Sequence, residues 1–336
     1  MTQTVADELI DIMVEAGIRN VYGVVGDSAN PVADAIRRTD GRLTFIHVRN
    51  EEAGAFAAGA DAQISGRPTA VLGSSGPGSL HLLNGLYDCD RNGAPVFAIV
   101  THVPSTEIGT RYFQETRPER IFSDCTRYLG YIMSPAQMPR IAELVMQAAV
   151  LERGVGMVIL PGDVGAMKVE TPVLRHPLAI ERPEARPSEA DLDELATLIA
   201  KGRKIAIFAG DGCRAARDEV LRLSRLLHAP VGYPYRGKDI FEADNPNAVG
   251  MTGLLGEGGA VKALAECDLL LLLGTDFPYR HFMPADSTIV QVDIAPGHLG
   301  RRAKVDLGLL GDIGETLRAL LPASPSGRTN RSWKMC

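Results

Sequence analysis

After Thr4, apolar residues recur at helical spacing (Val5, Leu9, Ile12, Met13), and the next apolar run predicts a strand over 21–25 that stops at Gly26. From there short apolar runs alternate with amphipathic stretches. Strands are expected at 44–48, 69–72, 96–100 and 157–160, and the helical period places helices at 51–62, 80–90 and 138–151. Strands joined through helices of this length need crossover connections, which make a parallel sheet with helices on both faces.

Between Pro161 and Pro187 the periodicity lapses, and five prolines (Pro161, Pro172, Pro177, Pro183, Pro187) punctuate the stretch, which therefore reads as a linker. Beyond it the alternation restarts, with a helix from Ser188, a strand at 205–209, a helix at 215–227, a strand at 230–233 and a helix at 260–265. Strands at 269–273, 289–293 and 305–309 then precede a last helix from Asp312, and after Leu321 the pattern is lost. The fold class expected is α/β, with two doubly wound parallel-sheet domains at 1–164 and 188–321, a linker at 165–187 and a tail at 322–336.

With 336 residues, 45% of them hydrophobic, the chain has the apolar content to bury two cores. A formal net charge of -6 leaves no basic excess for displacing counterions from nucleic acid, so small-molecule chemistry is the expected class and no nucleic-acid partner is expected. The five cysteines (Cys89, Cys125, Cys213, Cys267, Cys336) are widely spaced without a C-x-x-C pair, which argues against a disulfide framework or a zinc site and fits a reducing compartment. Acids in the first turns replace the basic and long apolar segments of a secretory signal, and the leucines from Leu269 to Leu273 are too few to cross a bilayer.

Several segments between elements carry candidate chemistry. Asn50, Glu51 and Glu52 stand where a strand hands over to a helix, and by spacing alone they read as an N-cap followed by two acids at the positive end of the helix dipole. Gly76, Pro77 and Gly78 join a strand to a helix with a backbone open to close approach by a ligand. Gly210, Asp211 and Gly212 stand in the same relation to the next domain's first strand, as the glycines of dinucleotide-binding turns do. Asp293 ends a strand, where a carboxylate serves either as an acceptor for ribose hydroxyls or as a surface turn acid. His81 and His102 belong to no ligand-spaced cluster and read as structural histidines, with no metal site expected.

Taken together, VYGVVGDS (from Val21), RNEEAGAFAAGADAQISG (from Arg49), GSSGPGSLHLLNGLYDCDRNGAPV (from Gly73), YFQE (from Tyr112) and VILPGDV (from Val158) resemble, in order and spacing, the pyrimidine-binding domain of thiamine-diphosphate enzymes. GMTGLLG (from Gly250), LLGTDFPYRHF (from Leu272), VQVDIAPGHLG (from Val290) and LLGDI (from Leu309) resemble the central domain of the same family, nearest to its quinone-dependent pyruvate dehydrogenase, or pyruvate oxidase, group. In that family a carboxylic acid bonded to the aminopyrimidine ring promotes the tautomer that activates the cofactor, and it sits in a mostly apolar pocket. The resemblance implies that Glu51 is this acid, with Glu52 its solvated or capping neighbour. Asn50 departs from the histidine common at its position.

The same resemblance implies cofactor contacts at Gly26, Gly76, Pro77, Gly78 and Asn84, and a substrate pocket bordered by Phe113 and Gln114. It implies a flavin (FAD) site at Gly210, Gly212, Thr252, Gly253, Leu254, Gly274, Thr275, Asp276, Phe277, Asp293 and Asp312. The expected reaction is oxidative decarboxylation of pyruvate with electrons passed through FAD to a quinone. Acetohydroxyacid synthase is the nearest enzyme alternative, and a non-catalytic protein retaining flavin binding and subunit contacts is the alternative from another class. Magnesium and the diphosphate are held in this family by a third domain whose motif closes with adjacent asparagines. No adjacent Asn pair occurs in this sequence, and the residues after Asp312 are too few for that domain, so a separate diphosphate-binding domain enters as a possible partner. A homo-oligomer, at least a dimer, and a cytoplasmic location are expected, with peripheral membrane association reserved for a full-length relative.

Overall fold

The computed structural model describes residues 3–169, 178, 180–181, 184–256 and 258–323. The chain divides into two compact units, 1–182 and 183–336. In the first, β1 (Asn20–Gly23), β2 (Thr44–His47), β3 (Thr69–Gly73), β4 (Val96–His102), β5 (Tyr128–Tyr131) and β6 (Val155–Pro161) form one parallel sheet in the order β2-β1-β3-β4-β6-β5. Because successive side chains point to opposite faces, β4 feeds two cores. Phe97 and Ile99 join Leu9, Ile36 and Val145 from helices Val5–Glu15, Asn30–Arg37 and Met138–Leu151, whereas Val96, Ala98 and Val100 join Ala58 and Leu86 from helices Glu51–Ser65 and Pro77–Arg91.

In the second unit, β7 (Ile205–Ala209), β8 (Val231–Tyr233), β9 (Ala248–Met251), β10 (Leu269–Leu273), β11 (Thr288–Asp293) and β12 (Leu307–Leu310) form a second parallel sheet in the order β12-β11-β10-β7-β8-β9. This is two three-strand halves wound in opposite directions from β7 and β10, the order of dinucleotide-binding folds. The leucine run is explained by its two buried faces. Leu269, Leu271 and Leu273 pack with Leu195, Val220 and Leu317, while Leu270 and Leu272 pack with Phe208, Leu264 and Phe277. Each sheet is bounded on both sides by a strand of four residues: β2 and β5 in the first, β12 and β9 in the second.

Two parallel sheets with flanking helices are what the alternation predicts, but several details differ. The strand expected at 21–25 is over by Gly23, where the chain leaves the sheet and carries Gly26 across to Ser74. Helix Pro77–Arg91 begins three residues before the expected start, with Pro at its first position, where a missing N–H costs nothing. Helix Asn30–Arg37 and strands β5 and β9 are not among the expected elements; both strands lie at sheet edges, only one of their residues, Gly130, is fully buried, and each is interrupted by a glycine, Gly130 or Gly250. The helix expected from 215 starts at Arg217, after a 3-10 stretch at Asp211–Ala216, and the strands expected from 230 and 305 start at Val231 and Leu307.

Pro161 closes β6 and is followed by a short helix, Gly162–Ala166, before Lys168 bridges back to Thr4. Of the expected linker, 170–177, 179 and 182–183 lie outside the described residues, as does the expected tail from 324. No helix among the described residues is long and apolar enough to cross a membrane.

Candidate active site

In the first unit the connections reverse direction between β1 and β3, and the carboxyl ends of these strands form the rim where open α/β sheets place ligands. The loops after them are in close contact, since a Cβ on Gly26 would lie 2.6 Å from the Cβ of Ser74. A hydroxyl chain ties the rim together. Ser75 N–H donates to Ser28 Oγ (2.9 Å), Ser28 Oγ lies 2.8 Å from Thr101 Oγ1, and Thr101 Oγ1 donates to the Gly73 carbonyl (3.1 Å).

Glu51 stands at this rim as the first residue of its helix. The side chain of Asn50 caps the helix by accepting the Glu52 N–H at 2.8 Å, so the capping that the spacing suggests is present together with the burial of Glu51, which is only 7% exposed. Its partner is His81, whose Nδ1 lies 3.1 Å from Glu51 Oε2. Small residues bring the two together. The helices Glu51–Ser65 and Pro77–Arg91 approach so closely that a Cβ on Gly85 would lie 2.5 Å from that of Ala55, and one on Gly59 would lie 2.7 Å from Cys89 Sγ. Contacts at 55 with 85 and 59 with 89 are one helical turn apart, and one turn earlier the same register sets 51 against 81. Gly78 leaves room on the other side: a Cβ there would meet Ser74 Oγ at 2.3 Å and Glu51 Oε1 at 3.1 Å. Glu52 faces outward and accepts Asn84 Nδ2–H at 3.0 Å.

Gly76, the residue before the helix, has φ +67°, and a Cβ on it would lie 2.8 Å from the Gln114 carbonyl oxygen. Both the backbone conformation and the space therefore require glycine. The structure thus brings Gly76, Pro77, Gly78 and Gln114 together beside Glu51, with Phe113 next to them and 79% exposed. His81, read from the sequence as a structural histidine, is instead the polar partner of the buried acid, and its side chain is 55% exposed.

In the second unit the loops after β7 and β10 meet at the switch point. A Cβ on Gly210 would lie 2.6 Å from the Gly274 carbonyl oxygen, one on Gly212 would lie 2.8 Å from Gly274 Cα, and Gly274 has φ +54°. Gly253 (φ +109°) rests on the rings of Phe277 and Tyr279, and the hydroxyl of Thr252 is buried without a hydrogen-bond partner. Phe277 itself is buried against Phe208 and Tyr279, whereas Leu254 is exposed. The acids expected here have protein partners. Asp276 pairs with Arg301 and Arg302, Asp293 Oδ1 accepts the Ala295 N–H (2.9 Å) beside His298 Nδ1 (3.2 Å), and Asp312 Oδ1 accepts the Glu315 N–H (3.0 Å).

Residues 3–121 match the sequence family described as "Thiamine pyrophosphate enzyme, N-terminal TPP binding domain", and residues 192–320 match "Thiamine pyrophosphate enzyme, central domain". The chain belongs to the thiamine pyrophosphate enzyme family. It is 47% identical over 330 residues to an "Uncharacterized 42.6 kDa protein in isoamylase 3'region" of Pseudomonas amyloderamosa, covering 98% of this chain and 83% of that protein. It is 31% identical over 340 residues to a pyruvate oxidase of Lactiplantibacillus plantarum (97% of this chain, 55% of the relative) and 29% identical over 333 residues to an acetolactate synthase large subunit of Parasynechococcus marenigrum (95% and 54%). The chain therefore spans about half the length of these last two relatives.

The residues present fit a thiamine pyrophosphate enzyme's needs. Glu51 is a shielded carboxylate with one oxygen against a glycine backbone, where the edge of a ring can approach, and Gly26 and Gly78 keep side chains out of that cradle. In the second unit the buried Thr252 hydroxyl has an unmet hydrogen bond for a ligand to supply.

Proposed function

We propose that this chain supplies the pyrimidine-binding domain (1–164) and the central, FAD-binding-type domain (188–321) of a thiamine-diphosphate-dependent oxidoreductase that oxidatively decarboxylates pyruvate to acetate and carbon dioxide and passes electrons through FAD to a quinone. The observation that carries this reading is the buried Glu51 carboxylate at the switch-point rim, held by His81 and facing the Gly76–Gly78 turn. When bound, thiamine diphosphate supplies a nucleophilic carbon and a sink for the electron pair released with carbon dioxide. Glu51 holds a proton at its Oε1 or Oε2 and exchanges it with the ring nitrogen of the aminopyrimidine, and His81 fixes the orientation of the carboxyl group. Gly26, Gly76, Pro77 and Gly78 give backbone access to that ring, Asn84 fixes Glu52 at the rim, and Phe113 and Gln114 border the substrate.

In the second unit the turns at Gly210, Gly212, Gly274 and Thr275 would admit the pyrophosphate of FAD, with Thr252, Gly253 and Leu254 beside it and Asp276, Phe277, Asp293 and Asp312 shaping the rim. Likeness to a pyruvate oxidase supports oxidation. Likeness to acetolactate synthases supports a second reading, carboligation of two pyruvate-derived units at the same acid. Activity is expected with a diphosphate-binding domain in place, in the same polypeptide or from a partner, and with at least two copies assembled.

The test is exchange of the thiazolium C–H for deuterium in that assembly. Glu51→Gln should slow it by roughly 10²–10⁴, the range of general acid–base assistance, and Glu52→Gln should leave it nearly unchanged. Equal exchange in Glu51→Gln and parent would refute the assignment. Incubation with pyruvate then separates the two readings, because acetate with a reduced quinone marks oxidation and acetolactate marks carboligation.

A further inference from the structure

Phe113 and Gln114 lie at the rim, but the residue after them organises the segment that carries them. Between the turn at Ser105–Glu107 and the helix Pro118–Ile121 the chain has no regular structure. Glu115 gathers it: Oε1 accepts the Gly109 N–H at 2.6 Å, and Oε2 accepts the N–H groups of Arg111 at 2.6 Å and Tyr112 at 3.1 Å. Three residues of this loop have positive φ, Gly109 (93°), Arg111 (65°) and Gln114 (65°), and two of them carry side chains that enter this region only when something holds them there. The root of the loop is held by a second carboxylate, Asp163, which accepts the Ser105 N–H (2.8 Å) and hydroxyl (2.5 Å). The tip ends on the glycine turn, with Gln114 against Gly76.

We propose that Glu115 is the positioning residue of this rim: its carboxylate collects the 109–112 amides, and so seats Gln114 on Gly76 and presents Phe113 beside the Glu51 turn. This role rests on the reading of that rim as the pyrimidine site. An anionic acceptor is required because three N–H groups converge on it, whereas a primary amide offers one acceptor oxygen and turns its own N–H donors toward the loop. His102 at the end of β4 and Tyr131 at the end of β5 sense the Glu115 charge, and both also sense Glu119 on the next helix. The Gly109 amide first, with those of Arg111 and Tyr112, holds the Glu115 carboxyl below the ordinary glutamate range. With the folded value lowered, the clasp is complete above that range and is lost as pH falls through the folded value.

The experiment uses the full chain. Amide exchange by NMR should be at least about tenfold faster at Gly109, Arg111 and Tyr112 in Glu115→Gln than in the parent, with Ala98 in the middle of β4 unchanged. A Phe113→Trp reporter in a Trp333→Phe background, free of other tryptophan, should lose fluorescence anisotropy as pH falls below about 4.5, as the loop loosens, and should show low anisotropy at all pH values once Glu115→Gln is added. In the assembly with a diphosphate-binding domain, thiamine diphosphate with magnesium is the ligand probe, read by protection of the Gly76 and Gly78 amides; the variant assembly should need several-fold more of it. Unchanged exchange at 109–112 in Glu115→Gln overturns the inference. Faster exchange there, with no protection by thiamine diphosphate in either protein, keeps the positioning role and overturns the assignment of the rim.

Discussion

Replacing Gly85 by alanine tests how Glu51 and His81 come to meet. The new Cβ would stand 2.5 Å from Ala55 Cβ and 3.0 Å from both the Glu52 carbonyl oxygen and the Phe56 nitrogen. Carbon atoms rest about 3.5–4.0 Å apart, so the two helices must separate by roughly 1 Å, and backbone atoms on the opposing side leave no flexible side chain to absorb the shift. Overpacking of this kind costs about 1–3 kcal/mol. The same displacement, added to a 3.1 Å contact one turn away, takes His81 out of hydrogen-bonding range of Glu51. Urea denaturation reads the first effect and the imidazole nitrogen resonances of His81 read the second. Gly59→Ala should act in the same direction but less, since its Cβ meets the Cys89 sulfur, and Gly297→Ala, with nothing within 4 Å, should be neutral. A Gly85→Ala protein as stable as its parent, with the His81 resonances unmoved, would refute the idea that small-residue register builds the site.

Further outcomes rest on individual contacts. Gly76→Ala should destabilise the first unit by about 1–2 kcal/mol from its φ of +67° alone, and by more from the clash with Gln114, measured as a shift in the urea midpoint. Titrated separately, FAD should bind the chain more tightly than thiamine diphosphate with magnesium; tight magnesium-dependent thiamine diphosphate binding without FAD binding would reverse the roles given to the two units. Burial alone would raise the Asp7 carboxyl, but its bonds to Arg38 and Thr4 outweigh this and hold it below the ordinary range. That contribution is fully present above about pH 4 and is lost as pH falls through the folded value, so Asp7→Asn should flatten the stability profile below about pH 4. Burial pushes the Cys89 and Cys125 thiols up to about 12, so a thiol reagent at pH 8 should modify them only as fast as the unit opens.

Much of the fold is legible because parallel strands buried on both faces are written as apolar runs, as in Leu269–Leu273, and the helices between them carry clear periodicity. Of the four edge strands, β2 and β12 are read from the sequence, whereas β5 and β9, each broken by a glycine (Gly130, Gly250), are not. At the site, the Asn50 cap can be read from three adjacent residues, whereas the pairing of Glu51 with His81 depends on which turns of two helices touch. Ala55, Gly59, Gly85 and Cys89 carry that information, but as small residues within helical patterns they give no local signal. Glu115 escapes for a related reason: its partners are backbone amides, which every residue but proline possesses. Thr252 is singled out in the sequence only by the resemblance to the central domain; its burial without a hydrogen-bond partner emerges from the fold.

The four-residue strands that bound each sheet have a consequence for the life of the chain in a crowded solution. A parallel sheet exposes at either side a row of unpaired N–H and C=O groups that invites another strand to add, and the hazard grows with the length of the row. At about 3.3 Å per residue, β2, β5, β9 and β12 each offer a foreign strand only some 13 Å of template. Lengthening any one of them by replacing its flanking turn with β-branched residues should leave the fold intact and raise its tendency to aggregate on refolding.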